Sequence, residues 1–267
     1  MGNDENDSST LLRGLQTILP EVSGKSERIR VCFPDENVFV HQFPSVKTGN
    51  TEELKQLLSL EIRQAYPQHT LENYSSVVLP LAPKLDGKEN MIAMMIEQKQ
   101  LRIGDVLSEN FGSVCERVVV SQFASHAALL YNYPEQIENT VILFGVQDRF
   151  ADVSVLKKGE LAYYGLVPFN FKEQAGEAFD KEIDKLLAEY IPFADSAFLF
   201  GPGLTRSMLV SVSKVLPLPT QRLNAFRMMT TKFNGRERDY CSKAAHLYPP
   251  NVGAALPELQ AAEMIKL

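Results

Sequence analysis

The chain has 267 residues, a formal net charge of −6, and apolar and charged fractions of 45% and 22%. Those fractions are ordinary for a globular protein and long enough a chain to bury a sizeable core without metals or disulfides, as one large domain or two small ones. The acidic balance argues against nucleic acid, whose phosphates call for Lys and Arg, and the short basic runs Lys157-Lys158 and Arg236–Arg238 read as solvated surface.

Cys32, Cys115 and Cys241 lie far apart, with neither zinc spacing nor a CxxC pair, the pattern of inert thiols in a reducing compartment. No run of about 18 apolar residues is available to span a bilayer. The start, residues 1–9, is polar and acidic, unlike a signal peptide. These features predict a cytoplasmic protein with no direct membrane insertion, whose partner can still be a membrane protein.

In chain order, residues 10–19 carry Leu11, Leu12, Leu15, Ile18 and Leu19 at helical spacing. A strand follows over 28–33, a turn at 35–37, and a second strand over 38–43. Thr51 is the expected N-cap of an amphipathic helix with Leu54, Leu57, Leu58 and Ile62 on one face, stopped by Pro67. Strands at 74–81 and 90–97 flank a turn at 84–88, then come a helix at 98–112 and a strand at 116–120. Residues 38–97 thus read as a small strand–helix–strand–strand module inserted in a larger plan.

Residues 121–132 are helical, with small residues at Ala124, Ala127 and Ala128. Three short strands follow at 141–146, 151–157 and 161–167, the second pair joined by Lys158-Gly159. A helix is predicted from about 171 to 190, ended by Pro192. Then come a strand at 197–200, the turn Gly201-Pro202-Gly203, a helix over 204–216 and a strand over 221–226. After a polar stretch, Pro249-Pro250 opens a closing helix around 252–256.

Three meandering strands, a helix, strand–Gly-x-Gly–helix–strand and a final helix of small residues resemble the second lobe of the actin-like ATPase fold. Within that superfamily the chain resembles bacterial PilM-type proteins of type IV pilus assembly and the cytoplasmic domains of type II secretion L proteins. Residues 39–67 (FVHQFPSVKTGNTEELKQLLSLEIRQAYP) resemble the segment that opens that family's inserted subdomain. Residues 116–130 (ERVVVSQFASHAALL) resemble the strand and helix joining the two lobes. FLFGPGLTRSMLVSVSKVL (198–216), LNAFRMM (223–229) and NVGAALPEL (251–259) resemble the adenosine strand and helix, the strand after it, and the return helix.

The resemblance implies an actin-like, ribonuclease H-like α/β fold of two lobes with a small inserted subdomain. It assigns 1–9 to a disordered acidic tail and 10–120 to a truncated first lobe with the insertion at about 38–115. It assigns 121–250 to the second lobe and 251–267 to the return helix and tail. It implies an interlobe hinge at Ala127, Ala128, Gly253 and Ala254, where only small residues let two helices cross closely. It also implies a partner groove framed by Val38 and Val40 on a strand and Leu54 and Leu58 on the following helix. In that family a cytoplasmic tail of an inner-membrane protein docks there, so location at the inner face of the inner membrane is expected; a homodimer is left open.

ATP binding in this fold needs two glycine-rich hairpins around the phosphates and a carboxylate for magnesium. The first hairpin has no counterpart here, and the sequence leaves open whether residues before Met1 supply it. At the second, Phe144 stands near the carboxylate position of Leu143-Phe144-Gly145-Val146-Gln147-Asp148, and Asp148 would repel a phosphate. Gly201 and Gly203 remain as a vestigial adenosine turn, although a tight strand–helix turn wants glycine without any ligand. The expectation is therefore a pseudo-ATPase: no catalytic residues, no metal, no cofactor, with ATP and magnesium disfavoured. Two alternatives stay open: an actin-like ATPase whose first hairpin is missing from this chain, and a degenerate actin-like protein with an unrelated binding role.

His41, His69, His126 and His246 include no i, i+4 pair and are set aside as ligands. Cys115 with His126 is set aside as a nucleophile pair, because nothing nearby lowers the thiol pKa. Met91, Met94 and Met95 read as core.

Overall fold

The computed structural model describes residues 28–34, 37–44, 50–83, 90–111, 114–168, 188–230, 232, 234–257 and 265–266. The tail at 1–9, the helix read over 10–19, the turn at 84–88 and all but the last three residues of the helix read over 171–190 lie outside that set.

The second lobe is a five-stranded sheet made of β6 (Thr140–Val146), β7 (Phe150–Lys157), β8 (Glu160–Pro168), β9 (Ser196–Phe200) and β10 (Thr220–Arg222), in the order β10-β9-β6-β7-β8. β6, β7 and β8 form an antiparallel meander, and β9 and β10 add in parallel. The β7–β8 turn puts Lys158 and Gly159 both at positive φ (52° and 78°), which matches the twist of a tight hairpin. Both faces are covered, so alternate side chains enter two cores. Ile142, Phe144, Val153 and Leu199 meet Met208 and Val212 of α4 (Arg206–Val215). Val141, Leu143, Leu156, Phe198 and Phe200 meet Leu129 and Tyr133 at the end of α3 (Ser121–Asn132).

The first lobe contributes two parallel strands among the described residues, β1 (Arg28–Phe33) and β5 (Val114–Val120). Between them lies the insertion, with β2 (Phe39–Pro44), α1 (Thr51–Ala65), β3 (Tyr74–Pro80), β4 (Asn90–Glu97) and α2 (Gln98–Phe111). A short β11 (Ile265–Lys266) completes its antiparallel sheet, ordered β11-β3-β4-β2. Asn50, rather than Thr51, caps α1, its side chain accepting from the Glu52 N–H. Leu54, Leu58 and Ile62 pack onto Phe43, Met91, Ala93 and Met95 on one face of the sheet. The opposite face, through Val40, Met94 and Ile96, meets the first lobe and Phe123 of α3.

Two predicted elements change. The strand read over 221–226 ends at Arg222, because the Asn224 side chain accepts from the Phe226 N–H and turns the chain. The polar stretch after it holds a helix, α5 (Gly235–Ala244), started by a capping box between Asn234 and Glu237.

The lobes meet where α3 crosses α6 (Pro249–Ala255). A Cβ on Gly253 would fall on the backbone carbonyl of Ala124, so only glycine permits this approach. Arg30 of β1 donates from Nη1 to the carbonyls of Ala254, Ala255 and Leu256 at 3.0, 2.6 and 2.9 Å. Arg117 of β5 adds a bond to Leu256 at 3.0 Å. Two cations from the first lobe thus satisfy the exposed carbonyl end of α6 and complement its dipole. Glu116 aligns Arg30 and Arg28 by ion pairs of 2.7 and 3.0 Å, and the Arg30 hydrogen bond, with Arg28 second, holds its carboxyl below the usual range.

Under α3 runs a buried polar seam. Gln122 donates to Ser154 at 2.7 Å and to the Leu143 carbonyl at 3.1 Å, and His126 Nε2 lies 2.6 Å from Ser154 Oγ. Burial pushes the His126 pKa down from 6.5 to about 3, so the ring is neutral at physiological pH.

Gly253→Ala is expected to lower folding stability by about 3 kcal/mol, because helix backbones must separate to admit the methyl group. Gly235→Ala, where the space is open, is expected to change it by less than about 0.5 kcal/mol. Paired thermal or denaturant melts check the contrast. For His126, neither state is charged well above pH 6.5; below that the unfolded chain binds a proton that the folded chain refuses until about pH 3. Stability therefore falls as pH drops through that window. Between pH 7 and pH 5 the wild type is expected to lose roughly 2 kcal/mol more than His126→Gln, read from urea midpoints.

Candidate functional site

Two regions carry the residues that the sequence marks as candidates for binding: the Gly201-Pro202-Gly203 turn at the end of the second-lobe sheet, and the outer strand of the inserted sheet.

At the first, Gly201-Pro202-Gly203 links β9 to α4. Gly201 has φ of 107°, a left-handed conformation that favours glycine. Its N–H donates to the His246 carbonyl at 2.8 Å, and the Gly203 N–H donates to the Val146 carbonyl at 2.9 Å. A Cβ on Gly201 would strike Val146, and one on Gly203 would strike Gln147. Pro202 carries no N–H. The turn thus spends its donors bracing β9 against the end of β6, and its glycines are needed for that approach. Thr205 caps α4 in the same inward manner, accepting from the Met208 N–H at 3.2 Å.

The neighbouring β6–β7 hairpin has Asp148 and Arg149 exposed at its tip, while Phe144 is a fully buried core residue. Sequence reasoning weighed Asp148 and missed Asp152. Asp152 is fully buried opposite Gly145 in the ladder, and its carboxylate lies where a Gly145 side chain would stand. It lies two residues from Ser154 on the same face of β7, and Ser154 joins Gln122 and His126 in the buried polar seam. The available signal was a carboxylate inside an otherwise apolar strand, FADVSVLK.

The second region is β2. It is the outer strand of its sheet, with β4 on one side and, among the described residues, no strand on the other. Val38, Leu54 and Leu58, expected to frame a partner groove, are 6%, 3% and 0% exposed. They are core residues: Leu54 and Leu58 pack α1 onto the sheet, and Val38 packs with Phe33 and Val120 at the joint with the first lobe. Val40 is half-buried on the face opposite the two leucines, beside Met94 and Phe123. The four therefore do not line one surface.

What β2 presents outward is different. Gln42 and Pro44 are exposed, and the Gln42 amide donates to the Tyr164 carbonyl on β8. On the opposite, α1-facing side of β2 sits a half-buried aromatic group that sequence reasoning did not assemble. Phe39 meets Tyr66 edge-on at 4.5 Å and stacks on His69 at 4.9 Å, and His69 Nδ1 is 2.5 Å from the Tyr74 hydroxyl. His41 lies 3.6 Å from a Glu61 carboxylate oxygen.

Of the residues expected at an interlobe hinge, Gly253 and Ala128 take part in the packing of α3 against α6. Gly253 and Ala254 are buried there, Ala128 packs with Ala225 and Val252, and Ala127 is half-buried. The tightest contact falls at Ala124, one turn before the residues expected. Among the described residues no helix is long and apolar enough to cross a membrane, and no group of three or more His, Cys, Asp and Glu is placed to hold a metal.

No protein-family model and no curated protein matches the chain. Among solved structures it is similar to a chain of the PilM–PilN type IV pilus biogenesis complex, with TM-score 0.69 and 13% identity over 94% of this chain and 86% of that one. It is also similar to a Bacteroides thetaiotaomicron protein with an actin-like ATPase fold and unknown function, with TM-score 0.50 and 12% identity over 92% and 81% of the two chains. The likeness is one of fold, a two-lobed mixed α/β architecture of the actin-like, ribonuclease H-like kind.

Proposed function

We propose that this protein is a non-catalytic, cytoplasmic actin-like adaptor that binds an extended cytoplasmic segment of a membrane protein. The observation that carries the reading is the position of β2, an outer strand with exposed Gln42 and Pro44 at the edge of an inserted sheet. An extended peptide can add to such an edge through main-chain bonds, while half-buried Phe39, His41 and Tyr66 offer places for alternate side chains. The fold likeness to a chain solved as a PilM–PilN pilus complex supports a binding role of this kind. This surface replaces Val38, Leu54 and Leu58 as the groove, because those side chains are spent on the core.

The non-catalytic part rests on the glycine turn. A triphosphate is held by backbone N–H groups aimed at it; here those of Gly201 and Gly203 are committed to protein carbonyls. The fully buried Phe144 stands near the strand position where the family resemblance implies a metal-binding carboxylate.

The test is a peptide array covering roughly the first 20 cytoplasmic residues of single-span membrane proteins from the same genome. At least one peptide should bind. Pro44 has no N–H to give, which suits an outward-facing backbone position, and Gln42 shares its parity along the strand. Gln42→Pro is therefore expected to weaken binding at least tenfold, whereas Gln42→Ala stays within about threefold. An array without a binder, or equal losses in both variants, sinks the strand-addition reading. Calorimetry with magnesium and ATP on the same protein should show no binding; heat of a one-site isotherm would restore the ATPase reading.

A further inference from the structure

The chain is acidic overall, yet its charge is not evenly spread. Residues 220–248 hold six cations, Arg222, Arg227, Lys232, Arg236, Arg238 and Lys243, against two anions, Glu237 and Asp239. That is a surplus of four positive charges in a chain whose net charge is −6.

Tertiary structure gathers this stretch into one projection. The Ala225 N–H donates to the Ala245 carbonyl at 3.4 Å, and the Phe226 and Tyr248 rings lie 5.6 Å apart. α5 forms most of the projection. Of its ten residues only Ala244 is buried and Cys241 half-buried, so it presents almost its entire circumference to solvent. A helix that packs so little against its own protein owes its position to its capping box and its junction with the following turn. Arg227 is engaged by Glu135 and lies over the Tyr133 ring at 4.4 Å. Lys232, Arg236, Arg238 and Lys243 are all exposed, and none makes an ion pair among the described residues.

Tyr240, 63% exposed, shares one face of α5 with Arg236 and Lys243, four residues before and three after it, while Met228 and Leu247, 54% and 39% exposed, lie on the segments before and after the helix. Cations interspersed with an aromatic ring and flexible apolar groups suit the boundary between anionic headgroups and acyl chains. Lysine and arginine stems lie along the apolar layer while their charges meet phosphates, and tyrosine keeps its hydroxyl in water. An acidic protein partner would use the charges but would leave Tyr240 and Met228 to be covered by a matching pocket.

We propose that the α5 projection is a docking surface for an anionic lipid membrane, with Arg236, Arg238 and Lys243 supplying attraction and Tyr240 and Met228 inserting at headgroup depth. The inference does not depend on strand addition at β2, which lies in a different subdomain.

The test is sedimentation of the full chain with vesicles of phosphatidylcholine alone or with about 30% phosphatidylglycerol, at about 0.1 M salt. Partitioning to the anionic vesicles is expected to exceed that to neutral ones at least tenfold and to fall steeply with added salt. The triple variant Arg236→Glu, Arg238→Glu, Lys243→Glu should lose at least tenfold. Tyr240→Ser should lose roughly threefold at unchanged charge, and both variants should keep the wild-type melting temperature, since these side chains are exposed. If the triple variant melts early, its neutral counterpart with three Gln residues provides the reading. No preference for anionic vesicles overturns the proposal. So does binding that soluble poly-glutamate matches in affinity and abolishes by competition, which would assign the surface to an acidic protein.

Discussion

The arrangement of this protein depends on one contact, the backbone-to-backbone approach of α6 to α3 at Gly253 and Ala124. Each lobe feeds one of these helices, β5 leading into α3 and the segment after β10 into α6. If they could not approach, the two-stranded β1–β5 sheet would lose its main anchor on the larger lobe. Glycine alone does not hold the contact, because it supplies space and no attraction. The attraction comes from Arg30 and Arg117, which reach from β1 and β5 to the last carbonyls of α6. A helix end that would otherwise face solvent with unpaired acceptors becomes the clamp between lobes.

From this crossing the rest of the assembly follows. It brings Phe123 of α3 into contact with both the first lobe and the inserted sheet, so one side chain belongs to two apolar clusters. The inserted sheet then lies against the edge of the second lobe, where the Ala82 N–H donates to the Leu161 carbonyl at 2.7 Å and Leu79, Leu81 and Ile92 pack with Tyr164. A sheet seated there is a structural neighbour of β8 as well as of the first lobe. The outer strand β2 is consequently packed through Phe43 on one face and Val40 on the other, while among the described residues its outer edge carries no strand, the arrangement proposed above as a template for another chain.

Much of the fold was legible in the residues. The α1 helix was found at its full extent because Leu54, Leu58 and Ile62 repeat at helical spacing between a polar start and Pro67. The β6–β7–β8 meander was found because short apolar runs alternate with tight turns, and Lys158-Gly159 occupies the positive-φ corner its sequence suggests. The α5 helix was missed for a physical reason: it is polar nearly all round, so it carries no apolar stripe, and only the Asn234–Glu237 cap announces it. The candidate site was far less legible. Leu54 and Leu58 were correctly placed on an apolar face, but an apolar face does not reveal whether it meets its own sheet or a partner. Likewise, Gly201 and Gly203 look the same in sequence whether their N–H groups point at a phosphate or, as here, at the His246 and Val146 carbonyls.

The sequence by itself determined what short-range chemistry controls: strand and helix periodicity, the turns, the order of the two lobes and the small residues available for a close crossing. Tertiary structure alone decided which groups meet across long stretches of chain. It put Asp152 over Gly145, Arg30 on the carbonyls of a helix 224 residues away in sequence, and Arg227 against Glu135 and the Tyr133 ring. Local propensity acts over a few residues, whereas the direction in which a donor or a charge finally points is set by packing that the whole fold must complete first.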